Sequence, residues 1–360
     1  MNNNKNITLI SNLYPSYKYP AFGVFVKRMQ NLVEKNSDVN FDIIVIDIKT
    51  NKLIIKISNY FNFYFNIIHG FFKLNNDVLY LHFPITYAWL INTLLLFKNK
   101  KLILNLHGGD LLFTSKLYKT LNYFLIELYK KCSYIVVPSL YFKMVLIEKY
   151  PFIQDQKVII IPSGGIDNNI FYKVETKINE KFHIGFVSRL EEGKGWLEYL
   201  KIINNLINVI EFEASIVGYG NDYSKVGDTI NEMNLQNHIK QIGFLDNTDL
   251  ADYFRKIDLL IIPTQLPESL CLVAIEALAC GTPVLASNIG AIPEFIIEGY
   301  NGFLVNSTDI KTFSDKVISY SNFDYDKRNI LNINCANSVL KFENNKSILP
   351  LVNLIKELNE

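Results

Sequence analysis

Short runs of apolar residues recur along the chain with helical stretches between them, and this alternation limits the possible folds more than any other feature. In the first half the runs are NITLIS from Asn6, FDIIVIDI from Phe41, VLYLHF from Val78, KLILNLH from Lys101, YIVVPS from Tyr134 and KVIIIPS from Lys157. The second half repeats the pattern with FHIGFVSRL from Phe182, FEASIVG from Phe212, DLLIIPT from Asp258 and PVLAS from Pro283. Continuous apolar runs, rather than alternating ones, mark strands buried on both faces of a parallel sheet. Strands alternating with helices imply an α/β chain with a parallel, doubly wound sheet. Two such sets predict two Rossmann-like domains facing each other across a cleft. The expected divisions are an N-terminal domain over 1–170, a linker over 171–182, and a C-terminal domain over 183–345. A last helix over 346–360 follows the second sheet and could pack anywhere, the first domain being one choice.

A length of 360 residues supports two cores of ordinary size, and 49% hydrophobic with 20% charged residues describes a globular chain. Net charge is only +1, but residues 1–165 hold 19 Lys and Arg against 9 Asp and Glu, and the remainder holds 17 against 26. The first half therefore carries an excess of about ten positive charges, which points to an anionic partner. Within it, Ile57 to Lys73 reads ISNYFNFYFNIIHGFFK, aromatic and uncharged until its last residue. Such a stretch suits either a buried core or the interfacial zone of a membrane. Val78 to Phe97 is free of charge for twenty residues, but His82, Pro84 and Asn92 divide it into a strand and a helix rather than a membrane span. The amino terminus has too short an apolar run for a signal peptide. Cys132, Cys271, Cys280 and Cys335 show no metal-binding spacing and read as reduced thiols in a cytoplasmic protein.

Several segments lie where ligands bind in such sheets, beyond the carboxyl ends of the strands. PESLCLVAIEALACGTPV, Pro267 to Val284, reads as a loop, a helix closed by Gly281 and Pro283, and the start of a strand. Ser269 is the expected N-cap. Glu276 is the one charged residue between Leu270 and Cys280, so it is expected to be buried, held by an internal ion pair or by ligand hydroxyls. GFVSRLEEGKG, from Gly185, puts Arg189 and Lys194 in a loop after a strand, either as a diphosphate site or as a solvated turn neutralised by Glu191 and Glu192. His107 opens HGGD at another strand end, and Gly23 precedes a basic helix. Three competing signals fail. Gly218 and Gly220 give G-x-G, but Tyr223 replaces the third glycine of a dinucleotide fingerprint. No G-x-S-x-G accompanies HGGD. The D-x-D of Asp324 and Asp326 lies outside any strand end and reads as surface charge.

In combination, PESLCLVAIEALACGTPV, SRLEEGKG, IPSGGID, HGGD and PSYKYPAFGVFVKR give a chain that resembles glycosyltransferase family 4, retaining enzymes of the GT-B fold. The resemblance implies a hexosyltransferase that needs no metal or other cofactor and takes a nucleotide diphosphate sugar as co-substrate. Arg189 and Lys194 would bind the diphosphate and stabilise charge on the leaving nucleotide. Glu276 would hold the ribose, Glu268 the transferred sugar, and His107 would sit by that sugar. Gly23 and the backbone around Ser269, Leu270, Cys271 and Leu272 would complete the phosphate site. Ser188 and Cys271 depart from the family pattern, which often has glycine at both places. The acceptor is expected to be a glycan, most naturally lipid-linked, reached from the inner face of a membrane to which the basic domain docks; no nucleic acid partner is expected. The alternatives are a nucleotide-sugar epimerase of the same architecture, or a non-catalytic nucleotide-sugar-binding protein.

Overall fold

The computed structural model describes residues 5–19, 22–50, 52–113, 115–175, 181–306 and 309–359. The chain divides into two compact units, one of residues 1–165 with 344–360 and the other of residues 166–343.

The first unit runs β1 (Lys5–Ser11), α1 (Val24–Lys35), β2 (Val39–Val45), α2 (Leu53–Lys73), β3 (Val78–His82) and α3 (Ala88–Leu94). It continues with β4 (Lys101–Asn105), α4 (Lys116–Lys131), β5 (Tyr134–Val137), α5 (Leu140–Lys149) and β6 (Val158–Ile160). Its six strands are all parallel, in the order β2-β1-β3-β4-β5-β6. Every residue of β3 is buried, as the unbroken apolar run requires.

The second unit begins β7 (Phe182–Val187), α6 (Trp196–Leu206), β8 (Phe212–Val217), α7 (Tyr223–Glu232), β9 (Ile239–Ile242) and α8 (Asn247–Lys256). It ends β10 (Leu259–Ile262), α9 (Leu272–Ala279), β11 (Val284–Ser287), β12 (Gly302–Val305), α10 (Ile310–Ser321) and α11 (Tyr325–Ser338). Its order is β12-β11-β10-β7-β8-β9, again all parallel. The fold class is thus α/β, two Rossmann-like doubly wound units. β9 and β12 have no counterpart among the apolar runs of the sequence. Both are four-residue edge strands, which pair on one side only, and β9 reads IKQI.

A short helix α12 (Asn344–Ser347) and the terminal helix α13 (Leu349–Asn359) return the chain to the first unit. There Leu351, Val352 and Ile355 pack in one core with Ile7, Leu9 and Val136. The contact boundary falls at Gly165 rather than at 170, because Ile166 donates its N–H to the Phe342 carbonyl and Phe171 is buried in the second core. Of the expected linker 171–182, residues 176–180 lie outside the described residues, and Phe182 opens β7.

Val78 to Phe97 divides as its sequence predicts, into β3, a turn and α3. Among the described residues, no helix is long and apolar enough to cross a membrane.

Candidate active site

Each sheet reverses its strand order once, between β1 and β3 in the first and between β7 and β10 in the second. At such a reversal the loops leave in opposite directions and open a crevice at the carboxyl ends of the strands. Gly23, Lys194 and Glu268 lie in the loops at these two places, and His107 follows the neighbouring strand β4.

In the second unit, the loop after β7 carries Lys194 and the loop after β10 carries Glu268. Lys194 Nζ lies 2.7 Å from Glu268 Oε1, with both side chains largely withdrawn from water. The two loops are tied by backbone: Gln265 N–H donates to the Gly193 carbonyl at 2.9 Å. The Thr264 hydroxyl sits between Gly193 O, Leu266 O and Glu268 Oε1 at 3.3 to 3.4 Å. From the other side, Ala291 N–H donates to the Glu268 carbonyl at 2.9 Å. Gly290, at φ 64°, lies so close that a Cβ there would meet Glu268 N and O at 2.5 Å. Neither Thr264 nor Gly290 stood out in the sequence; the signal was their place just after β10 and β11.

Arg189 is different. It points away, 70% exposed, and its guanidinium pairs with Glu191 at 3.2 Å. The solvated-turn reading therefore describes Arg189, whereas Lys194 has turned to Glu268. The G-x-G of Gly218 and Gly220 supports this loop through its backbone: Leu190 N–H donates to Tyr219 O and Asp222 N–H donates to Leu190 O.

The expected cap at Ser269 is corrected. Cys271 is the N-cap of α9, in the left-handed region at φ 70° and ψ 62°. The chain turns into the helix two residues later than the side-chain chemistry of Ser269 suggests, because Leu270 is buried in the second core and fixes the loop. This position favours glycine, since an L side chain in the left-handed region costs about 1 kcal/mol. Burial pushes the Cys271 thiol up, and the charge of Glu268 adds to the effect, so the sulfur remains a thiol. Leu272 begins the helix, whose first N–H groups point out along its axis. Glu276, in the second turn, is buried at 7% exposure as its apolar neighbours predict.

In the first unit, the helix that Gly23 opens reaches His107 through Phe25. Gly23 is the N-cap of α1 in the left-handed region, and a Cβ there would meet the Leu13 carbonyl at 2.5 Å. Two residues on, the Phe25 ring lies 4.4 Å from the His107 ring. His82, the last residue of β3, meets His107 edge to edge with the two rings within 10° of parallel, and places Nδ1 2.9 Å from His107 Nε2. Burial holds His107 down to about 3, and His82 well below its ordinary value, with His107 as the second cause for His82, so both rings are neutral near pH 7.

One ring must donate across this contact. His82 Nε2 is buried with no hydrogen-bond partner among the described residues. An orphaned N–H there would cost more than an orphaned acceptor, so the His82 proton belongs on Nδ1 and His107 Nε2 accepts it. His107 then carries its own proton on Nδ1. Asp110 closes the HGGD turn by accepting the His107 backbone N–H at 2.9 Å. Its carboxyl is pushed up to about 7 by burial, against the pull of that bond.

Asp324 and Asp326 start a helix: Asp324 caps α11 by accepting from the Lys327 N–H. Among the described residues, no group of three or more His, Cys, Asp or Glu side chains could hold a metal ion.

Residues 168–335 match the family model described as glycosyl transferases group 1, and residues 24–167 match the one described as glycosyltransferase family 4. The chain belongs to glycosyltransferase family 4. An uncharacterized glycosyltransferase of Methanocaldococcus jannaschii is 26% identical over 97% of this chain and 98% of its own. The lipopolysaccharide 1,2-N-acetylglucosaminetransferase of Salmonella typhimurium is also 26% identical, over 57% of this chain and 53% of its own. Among solved structures, sucrose-phosphate synthase from Thermosynechococcus elongatus superposes with a TM-score of 0.81 at 17% identity, covering 98% of this chain and 99% of that one. Anabaena HepE in complex with UDP gives 0.76 at 17%, over 98% and 100%. The fold of this glycosyltransferase is GT-B.

Proposed function

We propose that this glycosyltransferase is a retaining, metal-independent hexosyltransferase that moves a sugar from a nucleotide diphosphate sugar to a lipid-linked glycan at the cytoplasmic face of a membrane. The observation that carries the reading is the Lys194–Glu268 pair at the β7/β10 reversal. It brings a cation and a carboxylate together beside a helix N-terminus, where a sugar diphosphate needs both. The bond from the anomeric carbon to the diphosphate breaks, and negative charge grows on the departing phosphate. Lys194 takes that charge, joined by Arg189 once it leaves Glu191, which supplies by protein cations what a metal supplies elsewhere. Glu268, released from Lys194 by the incoming phosphate, accepts from hydroxyls of the transferred sugar. Glu276, buried beneath, accepts from the ribose. His107, with its proton on Nδ1, offers a neutral donor to the sugar. The acceptor hydroxyl enters on the face the nucleotide leaves and gives its proton to the departing phosphate as the new bond forms, so the anomeric configuration is kept.

Support for the donor class comes from HepE, whose structures hold UDP and UDP-glucose. The lipopolysaccharide transferase supports a surface glycan acceptor. The four free cysteines, Cys132, Cys271, Cys280 and Cys335, suit a reducing compartment. The test is nucleotide release from UDP-glucose and related donors, with and without a glycolipid acceptor, before and after exhaustive chelation. Full activity in chelator is expected. A strict requirement for added divalent metal would overturn the metal-independent mechanism, and the absence of release from every donor would overturn the transferase reading of the site.

A further inference from the structure

The surface of α2 carries a feature the site does not use. This 21-residue helix buries Phe63, Ile67 and Phe71 on one side, and on the other it exposes a second apolar stripe. Ile54, Ile57, Phe61, Phe65, Ile68 and Phe72 recur at spacings of three and four residues, which places them in one line along the helix. Ile54 is 83% exposed, Phe61 70% and Phe65 60%. The stripe is roughly 27 Å long at the rise of an α-helix. It extends beyond α2, because the Phe72 ring lies 6.3 Å from that of Phe97, which together with Leu96 is exposed after α3. An apolar surface this long and continuous is unusual for a protein bathed only in water.

Charge decides what covers it. Residues 48–76 contain Lys49, Lys52, Lys56 and Lys73 and no Asp or Glu, and Lys98 follows Phe97. A second copy of the chain laid on this stripe would bring lysines against lysines with no carboxylate in the segment to answer them. An anionic surface answers those that flank the stripe, Lys73 beside Phe72 and Lys98 beside Phe97, and phenylalanine and isoleucine side chains enter the headgroup boundary as amphipathic surface helices do. We infer that the exposed stripe of α2, with Leu96 and Phe97, is a docking face for an anionic lipid bilayer. This deepens the reading above, on which the acceptor is lipid-linked, by naming the face that rests on the membrane.

The experiment is sedimentation of the full chain with vesicles of phosphatidylcholine alone, or mixed with phosphatidylglycerol, at low and high salt. The native chain is expected to pellet with the anionic vesicles at low salt and to weaken as salt rises. Ile54→Ser, Phe61→Ser and Phe65→Ser combined should abolish pelleting. Lys73→Gln and Lys98→Gln should each weaken it about fivefold. None of these side chains is buried, so circular dichroism and the thermal midpoint should match the native chain. Three results would overturn the proposal: a native chain left in the supernatant at low salt, a triple variant that pellets like the native, or a vesicle-free dimer that the triple variant dissociates. Nucleotide release in vesicle-free buffer, read in parallel on the same preparations, reports the transferase reading alone.

Discussion

At the scale of single residues, Lys194 and Glu268 hold each other at 2.7 Å, so a change at either has two consequences. Lys194→Met leaves a carboxylate largely out of water without its partner and should cost about 1–3 kcal/mol of stability, as loss of one partner of a buried charged bond does. It should also slow transfer on the order of 100-fold, as loss of one charge-stabilising group does. Glu268→Gln combined with Lys194→Met removes both charges, so the denaturation midpoint should recover while nucleotide release does not. Recovery of both would make the pair a structural bridge. Asp110 makes a second prediction. Its folded carboxyl keeps its proton up to about pH 7, whereas an ordinary aspartate releases it near 3.8. The folded state therefore binds more protons between those values, and stability falls as pH rises through that window. Asp110→Asn keeps an acceptor for the His107 N–H and cannot ionise, so denaturation midpoints measured from pH 4 to 8 should show a flatter pH dependence than those of the native chain. Residue chemistry was legible in part. The nearly all-apolar surroundings of Glu276 announced a buried carboxylate and Glu191 stood beside Arg189 as a local partner, but nothing local told that Lys194 would instead reach Glu268, 74 residues away.

At the scale of elements, the site depends on loops held from behind. The loop after β11 lies against the backbone of Glu268, and Gly290 makes that approach possible. Gly290→Ala would put a methyl 2.5 Å from backbone atoms at a φ of 64°, so the loop carrying Glu268 must move. The expected result is a loss of about 2 kcal/mol or more, with transfer reduced further than by the stability change alone, since an error of about 1 Å in placing a reacting group can cost on the order of 100-fold. Native-like nucleotide release from Gly290→Ala would show that Glu268 does not need this support. The same element-level view explains which strands could be read in advance. Nine of the ten apolar runs belong to strands of four to seven residues, and KVIIIPS to the three-residue edge strand β6. β9, IKQI, is a half-solvated edge that demands no apolar run, whereas β12, GFLV, is almost entirely buried and its apolar character was legible. The cap of α9 was misread for a different reason: Ser269 has the right side chain, but burial of Leu270 decides where the turn falls.

At the scale of the whole molecule, the first unit is completed by the last residues of the chain. Leu351, Val352, Leu354, Ile355 and Leu358 of α13 are buried with residues of β1, β3 and β4, and Lys101 Nζ donates to the Leu358 carbonyl. Burying each such side chain contributes about 1.5–3 kcal/mol, and marginal stability leaves little to spare. Removing residues 349–360 should therefore unfold or aggregate the first unit while the second keeps its fold. Hydrogen exchange should show β1 and β3 losing protection with β7 and β8 unchanged. Equal loss in both units would show that α13 stabilises the chain as a single cooperative block.

The amino-acid sequence by itself determined that this chain forms parallel sheets, that there are two of them, and that its candidate site loops follow β1, β4, β7 and β10. Those properties rest on the periodicity of burial and on the few residues that can begin, end or charge a loop, and both are local. Tertiary structure alone decided which charged groups meet, where the two units divide, and which face of α2 stays uncovered. Each of those outcomes depends on side chains far apart in sequence, such as Lys194 and Glu268, His82 and His107, or Ile7 and Ile355. Whether such groups touch is set by the order in which the strands are laid side by side, and no single segment contains that order.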